Sequence, residues 1–176
     1  MPAPAQSSFP HVVFMGVAGC GKSSLAAAVA KRLNMTLIEG DDFHSASNRQ
    51  KMNQGIALTD ADRAGWLDAL GDQLHQAPQA AVLTCSALKA SYRDRLRRAA
   101  PGLRFVFMDL SREQALVRVK SRHAHFFNPS LIDSQFATLQ SPEDEVGVLK
   151  VNACDAPAVL CEQVVAWLVA NNAKPE

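Results

Sequence analysis

Short, fully apolar runs alternate along the chain with longer stretches in which apolar residues recur at helical spacing. Val12-Val13-Phe14-Met15 reads as a buried strand, and Lys22 to Leu33 as the helix that follows it. Thr36-Leu37-Ile38-Glu39 is a short strand ending at Gly40-Asp41-Asp42, and the polar segment Ser45 to Gly55 carries a short helix closed by its glycine. Thr59-Asp60-Ala61-Asp62 has the form of a capping box and opens a helix to about Gln76, with Trp66, Leu67, Leu70 and Leu74 on one face. Ala81-Val82-Leu83-Thr84-Cys85 is a strand by composition, followed by a helix from Lys89 to about Ala99. Pro101-Gly102 punctuates before the strand Phe105-Val106-Phe107-Met108. Ser111-Arg112-Glu113-Gln114 repeats the capping-box form at the head of a helix to about Ser121. The pattern breaks from Arg122 to Pro129 and resumes as helix over Leu131 to Leu139. It closes with a strand at Val146 to Val151 and a helix over Ala158 to Ala170, capped near Asp155. Five strands interleaved with helices predict an α/β fold, a three-layer αβα sandwich around a five-stranded parallel sheet.

Composition narrows the setting. A chain of 176 residues is one domain with room for a substantial core, taken here as residues 11–176 after a disordered lead-in at 1–10. Eighteen Lys and Arg against 17 Asp and Glu leave a net charge of +1, which gives no electrostatic reason to expect a nucleic-acid or membrane partner. The basic run Arg93 to Arg98 reads as a solvated helix face, Arg93 apart. Cys20, Cys85, Cys154 and Cys161 show neither a C-x-x-C pair nor zinc-finger spacing, so free thiols in a reducing compartment are expected. No secretory signal opens the chain, and no apolar run nears the roughly 18 residues of a membrane span, so a cytoplasmic protein is expected.

The chemistry begins at Gly16-Val17-Ala18-Gly19-Cys20-Gly21-Lys22-Ser23, which matches G-x-x-x-x-G-K-[ST] between a strand and a helix. The glycines let successive backbone N–H groups turn inward as an anion nest, and the positive end of the following helix adds to the attraction for phosphate. Lys22 is expected on the β- and γ-phosphates of ATP, and the Ser23 hydroxyl on Mg²⁺. Ser24, at the start of the same helix, joins the nucleotide-binding set. A guanine-specific switch is excluded by the lack of N-K-x-D, and the formal D-x-x-G at Asp62 to Gly65 falls inside a predicted helix. A kinase needs a group for the acceptor hydroxyl. Asp41, two residues beyond Glu39 at the end of one strand, is the candidate for that proton, with Glu39 holding the metal through water. Asp109, after another apolar strand, is a rival acidic position.

Beyond the P-loop, the chain resembles the gluconokinase family, small P-loop kinases that phosphorylate D-gluconate. The resemblance runs from Val13 to about Asp155. It is carried by Gly40-Asp41-Asp42-Phe43-His44, Asn48 through Lys51-Met52, and Gly55 through Arg63 with Trp66-Leu67. Cys85-Ser86-Ala87-Leu88-Lys89 with Tyr92-Arg93-Asp94, then Arg118, Arg122 and His125-Phe126-Phe127, continue it, and Gln135-Phe136 with Leu139-Gln140-Ser141-Pro142 completes it. The chain departs from the family pattern at Cys20, Glu39, Ser45 and Ala124, where Ser, Asp, Pro and Gly are usual.

The resemblance implies a nucleotide-kinase-like fold with a small lid at about 122–130, a homodimer, and transfer of the ATP γ-phosphate to the gluconate 6-hydroxyl. Lys22, Asp41 and Arg122 would be catalytic. Arg118 and Arg122 would lie over the ATP phosphates beside Gly16 to Ser24. Arg49 and Arg93 would take the substrate carboxylate and His44 and Lys89 its hydroxyls, with Lys51 and His125 also on the substrate. Another kinase on this scaffold, shikimate-kinase-like, or a nucleotide-dependent binding module without an acceptor are the alternatives. Cys20, at a helix N-terminus, is expected to be a thiol open to oxidation.

Overall fold

The computed structural model describes residues 9–121 and 130–172. Five strands, β1 (Val12–Met15), β2 (Thr36–Glu39), β3 (Ala81–Thr84), β4 (Arg104–Asp109) and β5 (Val148–Asn152), form one parallel sheet in the order β2-β3-β1-β4-β5. The helices are α1 (Lys22–Leu33), α2 (Ala46–Asn53), α3 (Asp60–Gln76), α4 (Ala90–Ala99), α5 (Arg112–Ser121), α6 (Leu131–Thr138) and α7 (Pro157–Asn172). A single 3₁₀ turn, Gly40–Phe43, joins β2 to α2.

The central strand explains the apolar runs. In β1, Val12 and Phe14 face α1 and α7 through Leu25, Val29, Val164 and Leu168. Val13 and Met15 face α3 and α4 through Trp66, Leu67, Leu70 and Leu96. Both faces are covered, so alternation of polar and apolar residues disappears from the inner strands, while the edge strand β2 stays half-exposed. Both capping boxes form. Thr59 exchanges hydrogen bonds with Asp62, and Ser111 with Gln114. The formal D-x-x-G lies inside α3, as its periodicity required.

Phe9 and Pro10 are half-buried, and Phe9 packs on the core; residues 1–8 lie outside the described ones. One expectation changes. The alternation that aligned Glu39 with Asp41 stops at Gly40, because the chain turns there rather than continuing as strand.

The topology fixes where a ligand can bind. From β1 the chain passes outward to β2 and β3, then returns across β1 to β4, so the direction of winding reverses beside the carboxyl end of β1. Open parallel sheets bind ligands at that crevice.

Candidate active site

The phosphate side is built by backbone. Beyond β1, Gly16, Gly19 and Gly21 all have positive φ, and Gly21 caps α1 with φ 92°. A Cβ on Gly16 would sit 2.9 Å from the Met108 carbonyl oxygen, so this corner admits no side chain. Lys22 folds back over the loop and donates to the carbonyls of Gly16 (3.0 Å) and Val17 (3.2 Å). Ser23 Oγ donates to Glu39 Oε2 at 3.0 Å. The same carboxylate oxygen accepts from Thr84 Oγ1 (2.7 Å), which in turn accepts from the Gly40 N–H (3.1 Å). Glu39 is therefore held from β3 and aimed at the start of α1.

Two later elements brace the loop. Arg118 on α5 donates to the carbonyls of Gly19 (3.2 Å) and Ala153 (2.9 Å), tying the P-loop to the segment after β5. Gln135 on α6 accepts from the Ala18 N–H at 2.7 Å. Cys20 contradicts its expectation. Its thiol is buried in the core beneath the loop, where an oxidant has no access.

A cleft of about 410 Å³ opens from this loop toward the 3₁₀ turn and the first turns of α3. Ala18, Gly19, Gly21, Lys22, Ser23 and Ser24 line its phosphate side. Asp41, His44, Met52, Leu58, Arg63 and Ser86 line the other. Gly40 is the hinge post of that wall. A Cβ there would lie 2.0 Å from the Thr84 carbonyl oxygen, and its own carbonyl accepts from Trp66 Nε1 at 2.8 Å. Asp41 follows with a largely exposed carboxylate, its Oδ1 3.8 Å from His44 Nε2. The His44 ring is buried and stacked on Trp66 at 4.1 Å, and its Nδ1 has no hydrogen-bond partner. Burial pushes the His44 pKa down to about 4, against the raising influence of Asp41, so the ring is neutral near pH 7.

The cations expected on the substrate are distributed otherwise. Arg49 donates to the carbonyls of His44 (3.3 Å), Asp41 (3.1 Å) and Asp42 (3.2 Å), and so clamps the 3₁₀ turn. Lys51 pairs with Asp62 at 2.9 Å, an interaction that pulls the Asp62 pKa down to about 2. Lys89 pairs with Asp60 at 2.9 Å, on a carboxylate that also accepts from the Tyr92 hydroxyl.

Arg93 is a correction. Its side chain has no exposed surface, and it donates to Glu145 (3.0 and 2.5 Å), to the carbonyls of Ala87 (2.8 Å) and Leu88 (3.2 Å), and to that of Gln140 (3.0 Å). These bonds fasten a loop whose Ala87 sits at φ 46°; no donor is left for a ligand. Burial alone would raise the Glu145 pKa, but hydrogen bonds from Arg93 and Arg97 outweigh it and hold the carboxyl below its ordinary range.

Asp109 does not face this cleft. It lies at the far side of β1, 3.7 Å from Lys150, in a shallow polar depression. Arg122 and His125 lie outside the described residues.

The sequence reading missed Thr84, Ser86, Gln135 and Arg63 as site residues. Arg63 carried a usable signal, because it precedes Trp66 and Leu67 by three and four positions and so shares their inward face.

Comparison with known proteins agrees with this geometry. Residues 12–142 match the family described as AAA domain. The chain is 43% identical over 157 residues to a gluconokinase of Gluconobacter oxydans, covering 88% of each chain. It is 40% identical over 144 residues to the thermoresistant gluconokinase of Escherichia coli, covering 80% of this chain and 82% of that one. The crystal structure of a gluconokinase from Sinorhizobium meliloti superposes with a TM-score of 0.86 at 42% identity, covering 93% of this chain and 94% of the other. A P-loop facing an exposed carboxylate, and likeness of this extent over most of the chain, assign the protein to the gluconokinase family of P-loop kinases.

Proposed function

We propose that the protein transfers the γ-phosphoryl group of MgATP to the 6-hydroxyl of D-gluconate, giving 6-phospho-D-gluconate and ADP. One observation carries this reading: a single cleft presents the phosphate-binding Lys22 on one wall and the exposed Asp41 carboxylate on the other. Asp41 orients the acceptor hydroxyl and takes its proton as the oxygen attacks phosphorus. Lys22 leaves the Gly16 and Val17 carbonyls for the β- and γ-phosphates, where its charge meets that developing in transfer. Gly16 to Ser24 cradle the phosphates. Arg122 over them and His125 on the acceptor belong to the same proposal, while Arg118 acts through the loop that it braces.

Magnesium fits the residues present. Ser23 Oγ and Glu39 Oε2 are oxygen donors 3.0 Å apart, and no cluster of three metal-ligating side chains exists among the described residues. That suits an ion that keeps most of its waters and takes few protein ligands. Ser23 would hold it directly and Glu39 through water. The ion, when bound, offsets charge on the phosphates.

The reading extends to a cytoplasmic homodimer without nucleic-acid or membrane partners. A net charge of +1, and the absence of any membrane-crossing helix among the described residues, support its last part. The test is ADP release from the purified protein with MgATP, with and without D-gluconate, and with shikimate as control. Gluconate-dependent release that disappears in Asp41→Ala is expected. A folded, ATP-binding protein indifferent to gluconate would overturn the assignment of acceptor.

A further inference from the structure

Gluconate carries a carboxylate at the end opposite its reacting hydroxyl, and the arginines expected to receive it, like the lysines expected elsewhere on the substrate, are otherwise engaged. Arg93 is buried on Glu145, Arg49 caps three carbonyls, and Lys51 and Lys89 are paired with Asp62 and Asp60. Among the described residues lining the cleft there are two cations, Lys22 and Arg63. Lys22 belongs to the phosphates. Arg63 has no hydrogen-bonded or ion-paired carboxylate among the described residues.

Its surroundings are those of a built site. Arg63 Nε is buried and has no hydrogen-bond partner. The guanidinium lies over the Tyr92 ring, its Cζ 5.5 Å from the ring centroid, a cation–π contact that uses no N–H donor. The two acids of its own helix turn, Asp60 and Asp62, are engaged by Lys89, Tyr92, Lys51 and Thr59. A planar fork of donors held in place, with its nearby acids occupied, matches a carboxylate supplied from outside. His44, neutral and also lining the cleft with an unpartnered Nδ1, adds no competing charge.

We propose that Arg63 is the anchor of the acceptor's carboxylate, the residue by which this kinase separates a sugar acid from a neutral polyol. The proposal rests on the gluconate reading above. Asp41 on the 3₁₀ turn and Arg63 on the first turn of α3 then hold opposite ends of one linear substrate, the turn being joined to α3 through Trp66, which bonds Gly40 and stacks on His44.

The test compares D-gluconate with D-glucitol, the same chain without the carboxylate, in wild type, Arg63→Gln and Arg63→Lys. Arg63→Gln should lower kcat/KM for gluconate by roughly 30- to 1,000-fold, chiefly through KM, with the KM for MgATP within about twofold. The preference for gluconate over glucitol should collapse with it. Arg63→Lys should recover part of the loss, since it restores the charge but not the fork. A gluconate KM unchanged in Arg63→Gln would overturn the proposal, as would an equal fall for both acceptors, the mark of a structural role. If Arg63→Gln does not fold, Arg63→Lys carries the same comparison. A wild-type enzyme inert toward gluconate would instead overturn the reading beneath it, and the proposal with it.

Discussion

The two walls of the cleft are made in different ways. The phosphate wall is backbone: three glycines with positive φ, a helix N-terminus, and a lysine resting on two carbonyls of its own loop. The acceptor wall is side chains gathered from the 3₁₀ turn, α2, α3 and the loop after β3, elements tied to α3 by the Trp66–Gly40 bond and by the Lys51–Asp62 and Lys89–Asp60 pairs. A backbone site depends on a short contiguous run and tolerates change around it. A side-chain site depends on which ion pairs win. The difference teaches where specificity resides, because the first wall recognises phosphate in general and the second must recognise one acceptor.

Mutations can break this contrast at either wall. Asp41→Asn is expected to lower kcat by roughly 10²–10⁴-fold with the fold intact, since the carboxylate is mostly exposed; steady-state kinetics beside a circular dichroism melt checks it. Lys22→Met should cost on the order of 10²–10³-fold in kcat at the opposite wall, whichever acceptor is tested. Removing the buried pair's acid in Glu145→Ala should cost about 3 kcal/mol in urea unfolding, because Arg93 is left charged and without water.

Acid should act through His44. Its folded pKa of about 4 lies below the ordinary 6.5, so the unfolded chain binds a proton that the folded one refuses. Stability contributed by keeping the ring neutral is whole above pH 6.5 and declines as pH falls toward 4; His44→Phe should flatten the melting temperature across that window. At acid pH the depressed carboxyls of Asp62 and Glu145 also lose their contributions as they protonate. The smallest effect belongs to Arg95→Ala. Its pair with Asp68 is exposed on both sides, and calorimetry should find a change within about 0.5 kcal/mol.

The same contrast explains what could be read beforehand. All five strands, both capping boxes and the P-loop were legible, because each is written in neighbouring residues. Which of Asp41 and Asp109 faces the cleft was not, because only the strand order shows which carboxyl end adjoins the P-loop across β3. Arg93 looked like a ligand since its partner, Glu145, lies 52 positions away with no pattern linking them. Lys51 and Lys89 find their acids 11 and 29 positions away, and nothing local told a free ammonium from a paired one. Arg63 was within reach of helical spacing, yet its lack of a partner is a property of the assembled cleft. Burial likewise decided Cys20, whose position in the motif suggested an accessible thiol and whose side chain enters the core instead.

Gly40 has an implication for how this scaffold diversifies. Its N–H and its bare Cα meet Thr84 and its carbonyl meets Trp66, so the residue that presents Asp41 is pinned to β3 and α3 at once. With Asp41 in its proposed role, the reacting end of the acceptor has one permitted location. A descendant enzyme, natural or engineered, that accepts a longer or differently charged alcohol must therefore accommodate it at the distal end, by changing residues such as Met52, Leu58 and Arg63, while the chemistry stays where it is.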